Sequence, residues 1–323
     1  MEFEGVNQAF RYLIDFVSKE GRIVETRGLK CKEVISTSIT LKNIRKRFVI
    51  SNFRKTSLLY AFAEFFWYLS RSNKIEMIKY YAPSIGRFSD DGITMNSAYG
   101  YCIWDRWIDQ WSLCLYKLKQ DPNTRQAIIL LRDPFDLMKE TKDCICTICL
   151  QFLLRDKLDL VVYMRSNDLM VGFVYDVFSF TMLQELMAKC LNVDIGKYHH
   201  HVGSLHIYDK FLPKVDSILS ENITELEMEE MSFNEDIFLE IFKVLSYEAT
   251  IRKEGFLSNL WNIFFDIRRE KFSDYWKSIL YFFLLKRLES SMKKSDRILL
   301  CQEIVKSIRR TSPFLRSFID VKV

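Results

Sequence analysis

The chain has 323 residues, of which 49% are hydrophobic and 28% are charged, and its formal net charge is +5. This composition is ordinary for a soluble globular protein, and the length allows one large domain or two smaller ones. The small excess of basic residues gives no argument for a nucleic-acid partner, but it is compatible with an anionic small-molecule substrate.

The first residues, MEFEGVNQAF, lack the basic stretch and apolar core of a signal peptide. The longest apolar run, at residues 279–285, is much shorter than the roughly 18 residues of a membrane span. We therefore expect a cytoplasmic protein without membrane segments. Eight cysteines in such a chain predict free thiols rather than disulfides.

The periodicity of apolar residues predicts both helices and strands. Residues 7–18 and 56–70 carry apolar side chains at helical spacing. The stretch CTICLQFLLRDKLDLVVYMRS, at residues 146–166, predicts a β-hairpin that turns at RDK. Residues 177–191 predict a buried helix. The first part of the chain is therefore expected to be of the α+β class.

The composition and the apolar pattern of the sequence change at about residue 222. Beyond it, helical patterns rich in Phe, Leu, Lys and Arg continue, interrupted by the loop-like TSPF near the end. We therefore predict an α+β domain at residues 1–222 and a helical C-terminal extension at residues 223–323.

Three cysteines, Cys144, Cys146 and Cys149, lie close together at the start of the predicted hairpin. A strand would place Cys146 and Cys149 on opposite faces, so no metal site is predicted here. Two interpretations stay open. The cysteines are small buried hydrophobic residues, or one of them is a nucleophile whose thiolate is favoured by Arg165 on the paired strand.

The four histidines all lie in HHHVGSLHIY, at residues 199–208. Three adjacent imidazoles do not share one face of a helix or strand, so they form a poor metal cage. His206 and Tyr208 differ, because residues two apart on a strand face the same side and could offer two polar groups to a ligand.

Glu64 and Asp176 each have two interpretations. Glu64, in the apolar stretch AFAEFFWYL, faces solvent or is a carboxyl with a perturbed pKa in a cleft. Asp176 precedes an apolar helix and could cap it. Arg27, Arg125 and Arg165 occupy loop-like places, and the planar guanidinium group suits phosphate.

Seven segments, in this order, resemble the thymidylate synthase superfamily: AEFFWYL, SAYGYCIW, DPNTRQAII, CTICLQF, YMRSND, GFVYDVFSF and GSLHIY. The resemblance runs from about residue 20 to about residue 211. It implies a large mixed β-sheet packed by helices, a homodimer in which two sheets pack back to back, and a pyrimidine nucleoside monophosphate as substrate. It also implies 5,10-methylenetetrahydrofolate as the one-carbon donor.

The resemblance implies roles for single residues. Cys146 matches the nucleophile that adds to C6 of the pyrimidine, Glu64 matches the glutamate that organises proton transfer through water, and Tyr99 matches an active-site tyrosine. Arg165 would help to keep Cys146 ionised. The remaining matches concern binding: Arg27, Arg165 and Ser166 for the phosphate, Arg125 for the site of the partner subunit, His206 and Tyr208 for the sugar, and Asp168 with Phe88 for folate.

Departures from the synthase pattern point to a different branch. Synthases have Pro-Cys-His where this chain has Ile145-Cys146-Thr147, and Gln126 stands where they have a second arginine. The tryptophans of the folate pocket have no counterpart, and only Phe88 could stack there. The closing C-terminal segment is not recognisable, so water addition is favoured over hydride transfer.

Asp176 stands where synthases have an asparagine that pairs with uracil. Cytosine offers an amino group at C4 and a bare N3, so a protonated carboxyl can accept from the first and donate to the second. Asp176 therefore resembles the aspartate of the cytidylate hydroxymethylases. We expect 5-hydroxymethylation of CMP or dCMP. The alternatives are a thymidylate synthase acting on dUMP and a non-catalytic nucleotide-binding or interaction protein.

Overall fold

The computed structural model describes residues 1–291 and 294–319. It divides into two compact units, Met1–Leu226 and Glu227–Val323. The division lies close to the boundary expected near residue 222, and the assignment of two domains stays a prediction. Within the described residues, no helix is both long enough and apolar enough to cross a membrane.

A mixed seven-stranded sheet organises the first unit. The strands run in the order β1-β3-β7-β6-β5-β4, and β2 pairs with β3. The pairs β1–β3 and β6–β7 are parallel, and the others are antiparallel. The strand bounds are β1 Glu2–Phe3, β2 Arg22–Thr26, β3 Leu29–Leu41, β4 Ile128–Leu130, β5 Thr147–Leu154, β6 Leu158–Asp168 and β7 Ile195–Tyr208.

Helices from the same unit pack beside this sheet, which confirms the α+β class. The helices α1 and α6 contact β3 and β6, and α2 and α5 contact α6. The two helices expected at residues 7–18 and 56–70 are confirmed. The helices of this unit are α1 Val6–Glu20, α2 Leu58–Leu69, α3 Glu76–Tyr81, α4 Tyr99–Trp104, α5 Gln110–Gln120, α6 Gly172–Leu191 and α7 Val215–Ser220.

The predicted hairpin is confirmed by the antiparallel pairing of β5 with β6. A bulge between Thr147 and Cys149 shifts the register near its open end. At that end the backbone N–H of Arg165 donates to the carbonyl of Cys146 at 2.9 Å. The pairing therefore brings the cysteine segment next to Arg165.

One face of the sheet stays uncovered in the single chain. The register places Leu130, Cys149, Tyr163, His201 and Ser38 opposite one another across five strands. Directly opposed residues share one face of a sheet. Leu130 and Tyr163 are 50% and 39% exposed, and their neighbours in this row are exposed or half-buried.

Helix α6 is buried along most of its length, and most of its buried residues are apolar. Its N-terminal cap is Val171, and its first residue is Gly172. Asp176 lies a full turn inside the helix, and its side chain bonds to Asn167 rather than to the free N–H groups of the first turn. The interpretation of Asp176 as a helix cap is therefore wrong.

The second unit consists of helices, which confirms the helical character expected beyond residue 223. Asp236 caps the first of them, because its carboxylate accepts from the N–H groups of Phe238 and Leu239. Trp276 and Leu280 are fully buried within this unit. The helices are α8 Ile237–Lys253, α9 Leu257–Arg269, α10 Asp274–Ser291, α11 Lys294–Thr311 and α12 Pro313–Ile319.

Candidate active site

Cys146 and Arg165 form a contact pair at the open end of the hairpin. The guanidinium Nη2 of Arg165 lies 3.5 Å from Sγ of Cys146 and donates to the carbonyl of Cys144 at 2.9 Å. Its Nε donates to the carbonyl of Ile145 at 2.9 Å. Arg165 therefore holds the backbone on which the thiol is mounted and places a positive charge beside it.

Burial nevertheless raises the pKa of the Cys146 thiol, and the positive charge of Arg165 only opposes this effect. Arg165 thus acts on Cys146 in the expected direction, but its effect on the pKa is smaller than that of burial. Loss of hydration penalises the thiolate more than one half-buried guanidinium group favours it. The thiol must lose its proton before it can act as a nucleophile.

The described cysteines and histidines do not converge into a group of metal ligands. All eight cysteines are free thiols, as the composition predicted. Across residues 1–291 and 294–319, no group of three or more His, Cys, Asp or Glu side chains could hold a metal ion. Cys149 lies on β5 with the residues of the exposed row, away from the Arg165 contact.

Tyr99 fixes the residue that follows the thiol. Its buried hydroxyl accepts from Oγ1 of Thr147 at 3.0 Å and from the backbone N–H of Thr147 at 3.3 Å. Tyr99 also stacks on Phe180 of α6 with ring centroids 5.8 Å apart. Helix α4 and helix α6 therefore both determine where the segment around Cys146 lies.

Glu64 is half-buried and lines a cavity rather than the open surface, so the interpretation that it faces solvent is wrong. Its Oε1 accepts from the hydroxyl of Tyr60 at 2.8 Å, and its Oε2 is buried without a hydrogen-bond partner in the described structure. Burial and the nearby Asp176 raise the pKa of Glu64 to about 8. Glu64 can therefore hold a proton at neutral pH, which suits a proton relay.

Asp176 is the second carboxyl of the site, and it is half-buried. Its Oδ2 accepts from Nδ2 of Asn167 at 2.8 Å, and burial raises the pKa of Asp176 to about 7. Gly172 permits this contact, because a Cβ there would lie 2.9 Å from Asn167 Nδ2 and 3.1 Å from Asp176 Oδ2. Near neutral pH a substantial fraction of Asp176 is protonated and can donate a hydrogen bond.

A cavity of about 420 Å³ has Glu64 and Asp176 on its wall. Arg54 supplies a cation to its lining, and its Nε is buried with no hydrogen-bond partner within the described residues. Phe88 is 53% exposed at this cavity. The aromatic lining residues are Tyr60, Tyr81, Phe88 and Tyr175.

The thiol and the two carboxyls belong to one electrostatic site. The negative charge of Asp176 raises the pKa of Cys146 and also that of Tyr99, although burial contributes more in both cases. Cys146 itself is not part of the cavity lining. The structure therefore brings the three predicted catalytic residues, Cys146, Glu64 and Tyr99, around Asp176.

The predicted sugar and folate residues lie at the ends of β6 and β7. The rings of His206 and Tyr208 lie on the same side, 5.0 Å apart and nearly perpendicular. Asp168 stands opposite His206 in the ladder and accepts from the N–H of Met170 at 2.8 Å. Burial raises the pKa of Asp168. Ser166 on β6 is half-buried and opposite Ser204.

Arg27 and Arg125 lie at the surface. Arg27 adopts a left-handed backbone in the β2–β3 turn, and its charge lowers the pKa of Tyr208 against the larger effect of burial. Arg27 is thus near the sugar residues. Arg125 is exposed in the loop before β4. Among the described contacts, none joins the side chain of Arg125 to the other predicted site residues.

Several site residues escaped the sequence-based prediction. Asn167 and His200 are buried and join Asp176 in a chain of hydrogen bonds, and Arg54 and Tyr175 line the cavity. Strand alternation could have found His200, because the middle residue of HHH must face opposite to its neighbours. Nothing in the local sequence marks Arg54 or Tyr175.

A comparison with solved structures identifies the class of fold. The structure is similar to thermostable thymidylate synthase A from Bacillus subtilis, with a TM-score of 0.60 and 21% sequence identity, over 69% of this chain and 86% of that chain. This likeness shows a thymidylate synthase fold. A family model described as Thymidylate synthase matches residues 8–254. The chain therefore belongs to the thymidylate synthase family, and the match extends beyond residue 222 into α8.

Among curated relatives, hydroxymethyltransferases of phages stand out. The chain is 35% identical over 216 residues to the deoxyuridylate hydroxymethyltransferase of Bacillus phage SP01, covering 62% of this chain and 56% of the relative. It is 31% identical over 210 residues to the deoxycytidylate 5-hydroxymethyltransferase of Enterobacteria phage T4, covering 60% of this chain and 82% of the relative. The resemblance to hydroxymethylases is confirmed, while the relatives are named for two different bases.

The chain covers only part of some of these relatives. It spans 56% of the SP01 protein and 54% of the deoxyuridylate hydroxymethyltransferase of Delftia phage PhiW-14, to which it is 29% identical over 194 residues.

The pKa of Asp176 predicts how stability changes with pH. Its folded-state value of about 7 lies above the ordinary value of a free aspartate, so the unfolded chain releases a proton that the folded chain retains. Stability is therefore lost as pH rises from about 4 to about 7. Asp176→Asn removes this pH-dependent loss of stability, because asparagine does not titrate. The melting temperature of the variant minus that of the wild type is expected to increase between about pH 5 and about pH 8.

Thermal melts of both proteins across this pH range provide the measurement. Asp156→Asn, in the exposed turn of the hairpin, is the matched control and should give a difference that stays constant with pH. A constant difference for Asp176→Asn as well would show that Asp176 is ionised throughout.

The contact between Arg165 and Cys146 predicts a change in thiol reactivity. Arg165→Gln removes the charge that opposes the effect of burial, so the pKa of Cys146 should rise further and its alkylation should slow several-fold. The measurement is the rate of iodoacetamide labelling at Cys146, followed by peptide mass spectrometry against pH. Arg155→Gln, at the turn of the same hairpin, should leave the rate unchanged. Equal rates in all three proteins would mean that Arg165 does not act on the thiol.

Proposed function

We propose that this chain catalyses folate-dependent hydroxymethylation of C5 in a cytidylate, CMP or dCMP. The observation that carries the proposal is the Asp176 carboxyl, half-buried on the cavity wall with a pKa of about 7. A neutral carboxyl offers one acceptor and one donor side by side, which matches the 4-amino group and N3 of cytosine. An ionised carboxylate would face N3 with two acceptors.

Cys146 is proposed as the nucleophile at C6 of the pyrimidine ring. Formation of the S–C6 bond moves electron density to C5, which then attacks an electrophilic carbon. The thiol proton must leave first, because burial raises the pKa of Cys146. Arg165 stabilises the thiolate and, with Ser166 and Arg27, is proposed to bind the phosphate of the nucleotide.

Glu64 is proposed as the group that moves protons at the base. Its pKa of about 8 lets it take up and release a proton near neutral pH. Its Oε2, buried and without a partner in the described structure, is free to bond a water molecule or the substrate. Tyr99 keeps Thr147 and hence Cys146 in place. His206 and Tyr208 are proposed to contact the sugar.

The cavity beside Asp176 is proposed to hold the folate co-substrate. Tyr81, Phe88 and Tyr175 offer ring faces to a flat heteroaromatic group, and the unpartnered Nε of Arg54 suits an anionic end. 5,10-Methylenetetrahydrofolate supplies a carbon unit at the oxidation level of formaldehyde. Asp168, with its raised pKa, is proposed to hydrogen-bond it.

The net reaction replaces the hydrogen on C5 by CH₂OH. Water provides the hydroxyl and one proton, and the hydrogen displaced from C5 leaves as a second proton. These two protons restore the two N–H groups of tetrahydrofolate when it is released. The product differs from that of a synthase because no hydride is transferred.

A homodimer completes the proposal. The uncovered row of Leu130, Cys149, Tyr163, His201 and Ser38 gives the sheet an exposed face with apolar side chains, which a second copy could cover. Arg125, exposed and unconnected to the site in its own chain, is proposed to bind the phosphate in the partner subunit.

Hydroxymethylation of dUMP is the second candidate. It is favoured by the relative from Bacillus phage SP01, whose name specifies deoxyuridylate and which is 35% identical over 216 residues. The neutral Asp176 could serve uracil only if its proton moved to its other oxygen, because uracil reverses the donor and the acceptor.

Product analysis tests the proposed reaction. The chain is incubated separately with CMP, dCMP and dUMP, each with methylenetetrahydrofolate, and the products are measured by mass spectrometry. A gain of one CH₂O unit on a cytidylate is expected. Cys146→Ser should reduce turnover by on the order of 10³-fold or more, because an alcohol is a poor nucleophile here. A gain of CH₂ on dUMP would identify a synthase instead.

Mixing two inactive variants tests the role of Arg125. If Arg125 acts in the partner's site, a mixed dimer of Arg125→Glu with Cys146→Ser contains one complete site. Unfolding and refolding an equal mixture should then restore about one quarter of the wild-type activity. Lys157→Glu, a charge reversal in the exposed hairpin turn, is the control and should be active alone. No recovery in the mixture, with dimers present, would place Arg125 outside the partner's site.

A further inference from the structure

A chain of four buried or half-buried side chains ends at Asp176. The hydroxyl of Tyr198 lies 2.8 Å from Nδ1 of His200, and Nε2 of His200 lies 3.0 Å from Oδ1 of Asn167. Nδ2 of Asn167 donates to Oδ2 of Asp176 at 2.8 Å. These hydrogen bonds connect β7 through β6 to α6. Tyr198, His200 and Asn167 are at most 3% exposed.

The chemistry of the four groups allows only two directions for these hydrogen bonds. An amide oxygen only accepts, so Asn167 Oδ1 requires a proton on Nε2 of His200. Burial lowers the pKa of His200 to about 3, so the ring is neutral and carries a single proton. Nδ1 then accepts a hydrogen bond from the hydroxyl of Tyr198. In this direction the donors run from Tyr198 through His200 and Asn167 to Asp176.

The opposite direction needs a turned amide at Asn167 and the other tautomer of His200. Nδ1 of His200 would then donate to the oxygen of Tyr198. The Tyr198 hydroxyl is fully buried, and its one hydrogen bond in the described structure is the bond to His200. Its proton would therefore be left without an acceptor, which is unfavourable for a buried group. Tyr198 thus sets the direction of the whole chain.

The direction decides which oxygen of Asp176 carries the proton. Oδ2 accepts a hydrogen bond from Asn167, and the carbonyl oxygen of a neutral carboxyl is its stronger acceptor, so this bond favours the proton of Asp176 on Oδ1. We propose that Tyr198, His200 and Asn167 are positioning residues that keep this proton on Oδ1 and thereby select cytosine over uracil. Oδ1 donates to N3 of cytosine, and Oδ2 accepts from its 4-amino group. Uracil would bring its N3–H against the Oδ1 proton.

This inference rests on the proposed cytidylate substrate and adds a specific cause for it. Without this chain of hydrogen bonds, a neutral carboxyl could move its proton between its two oxygens and pair with either base. The side chain of Asp176 alone is therefore insufficient for base choice. Asn167 supplies the missing restraint, and His200 and Tyr198 prevent the amide of Asn167 from turning.

Binding of dCMP and dUMP to three variants tests the proposal. Tyr198→Phe removes a single oxygen atom, His200→Leu breaks the middle of the chain, and Asn167→Leu removes the bond to Asp176. The affinity ratio of dCMP over dUMP, measured by calorimetry near neutral pH, is expected to fall by about 5-fold in Tyr198→Phe and by more in the other two. Thr181→Val, which removes a buried hydroxyl bonded only within α6, should leave the ratio unchanged.

The pKa of Asp176, measured directly by NMR, provides a test that does not depend on the substrate. In protein labelled with ¹³C at aspartate carboxyls, the titration of Asp176 should move to higher pH in Asn167→Leu, because the amide donor that favours the carboxylate is lost. Asp168 of β6 raises the pKa of Asp176 through its charge, and its titration is visible in the same spectra. Glu64 of α2 and Cys146 sense the charge of Asp176, and their titrations should be followed in separately labelled samples.

The outcomes separate the inference from the proposed function. If the wild type prefers dCMP and the folded variants retain that preference, the inference is overturned and the cytidylate substrate stands. If the wild type prefers dUMP, both the substrate and the selection of cytosine are contradicted. If His200→Leu or Asn167→Leu unfolds the protein, Tyr198→Phe alone decides the outcome. It removes one oxygen atom, and a thermal melt shows whether it is folded.

Discussion

The site depends on the hydrogen bond between Asn167 and the half-buried carboxyl of Asp176. Burial disfavours the charge of Asp176 and raises its pKa to about 7, while the amide of Asn167 limits how far the pKa rises. A carboxyl in this range can exist as a neutral donor near neutral pH. Gly172, which has no Cβ, leaves the space in which the two side chains meet.

The remaining groups of the site follow from this buried, weakly hydrated environment. Glu64 and Cys146 have raised pKa values for the same first cause, and the charge of Asp176 adds to both. Arg165 is the cation in contact with the thiol, and it is held by the carbonyls of Cys144 and Ile145. A substrate phosphate bound by Arg165 would offset part of this positive charge, so the thiol still has to lose its proton before it can attack.

The sequence allowed the main architecture to be predicted because the relevant signals are local. Alternation around RDK predicted the β5–β6 hairpin, and that pairing alone brings Arg165 to Cys146. Asp176 was placed at the wrong point of α6, because a cap and an inner turn differ by contacts with Asn167 and Gly172 that lie outside the helical pattern. The rise in the pKa of Cys146 caused by burial could not be predicted, since burial depends on the tertiary packing of several elements.

The chain from Tyr198 to Asp176 could not be predicted from spacing, since it joins three elements through the strand register. Only the inward position of His200 was accessible, through alternation in HHH. The central claim is that a neutral Asp176 binds cytosine. The most direct test is the dissociation constant of dCMP against pH, with dUMP as the comparison. We predict that dCMP binding weakens about tenfold per pH unit above about pH 7, while dUMP binding stays weak and nearly constant. Affinity for dCMP that does not change across this range would contradict the account.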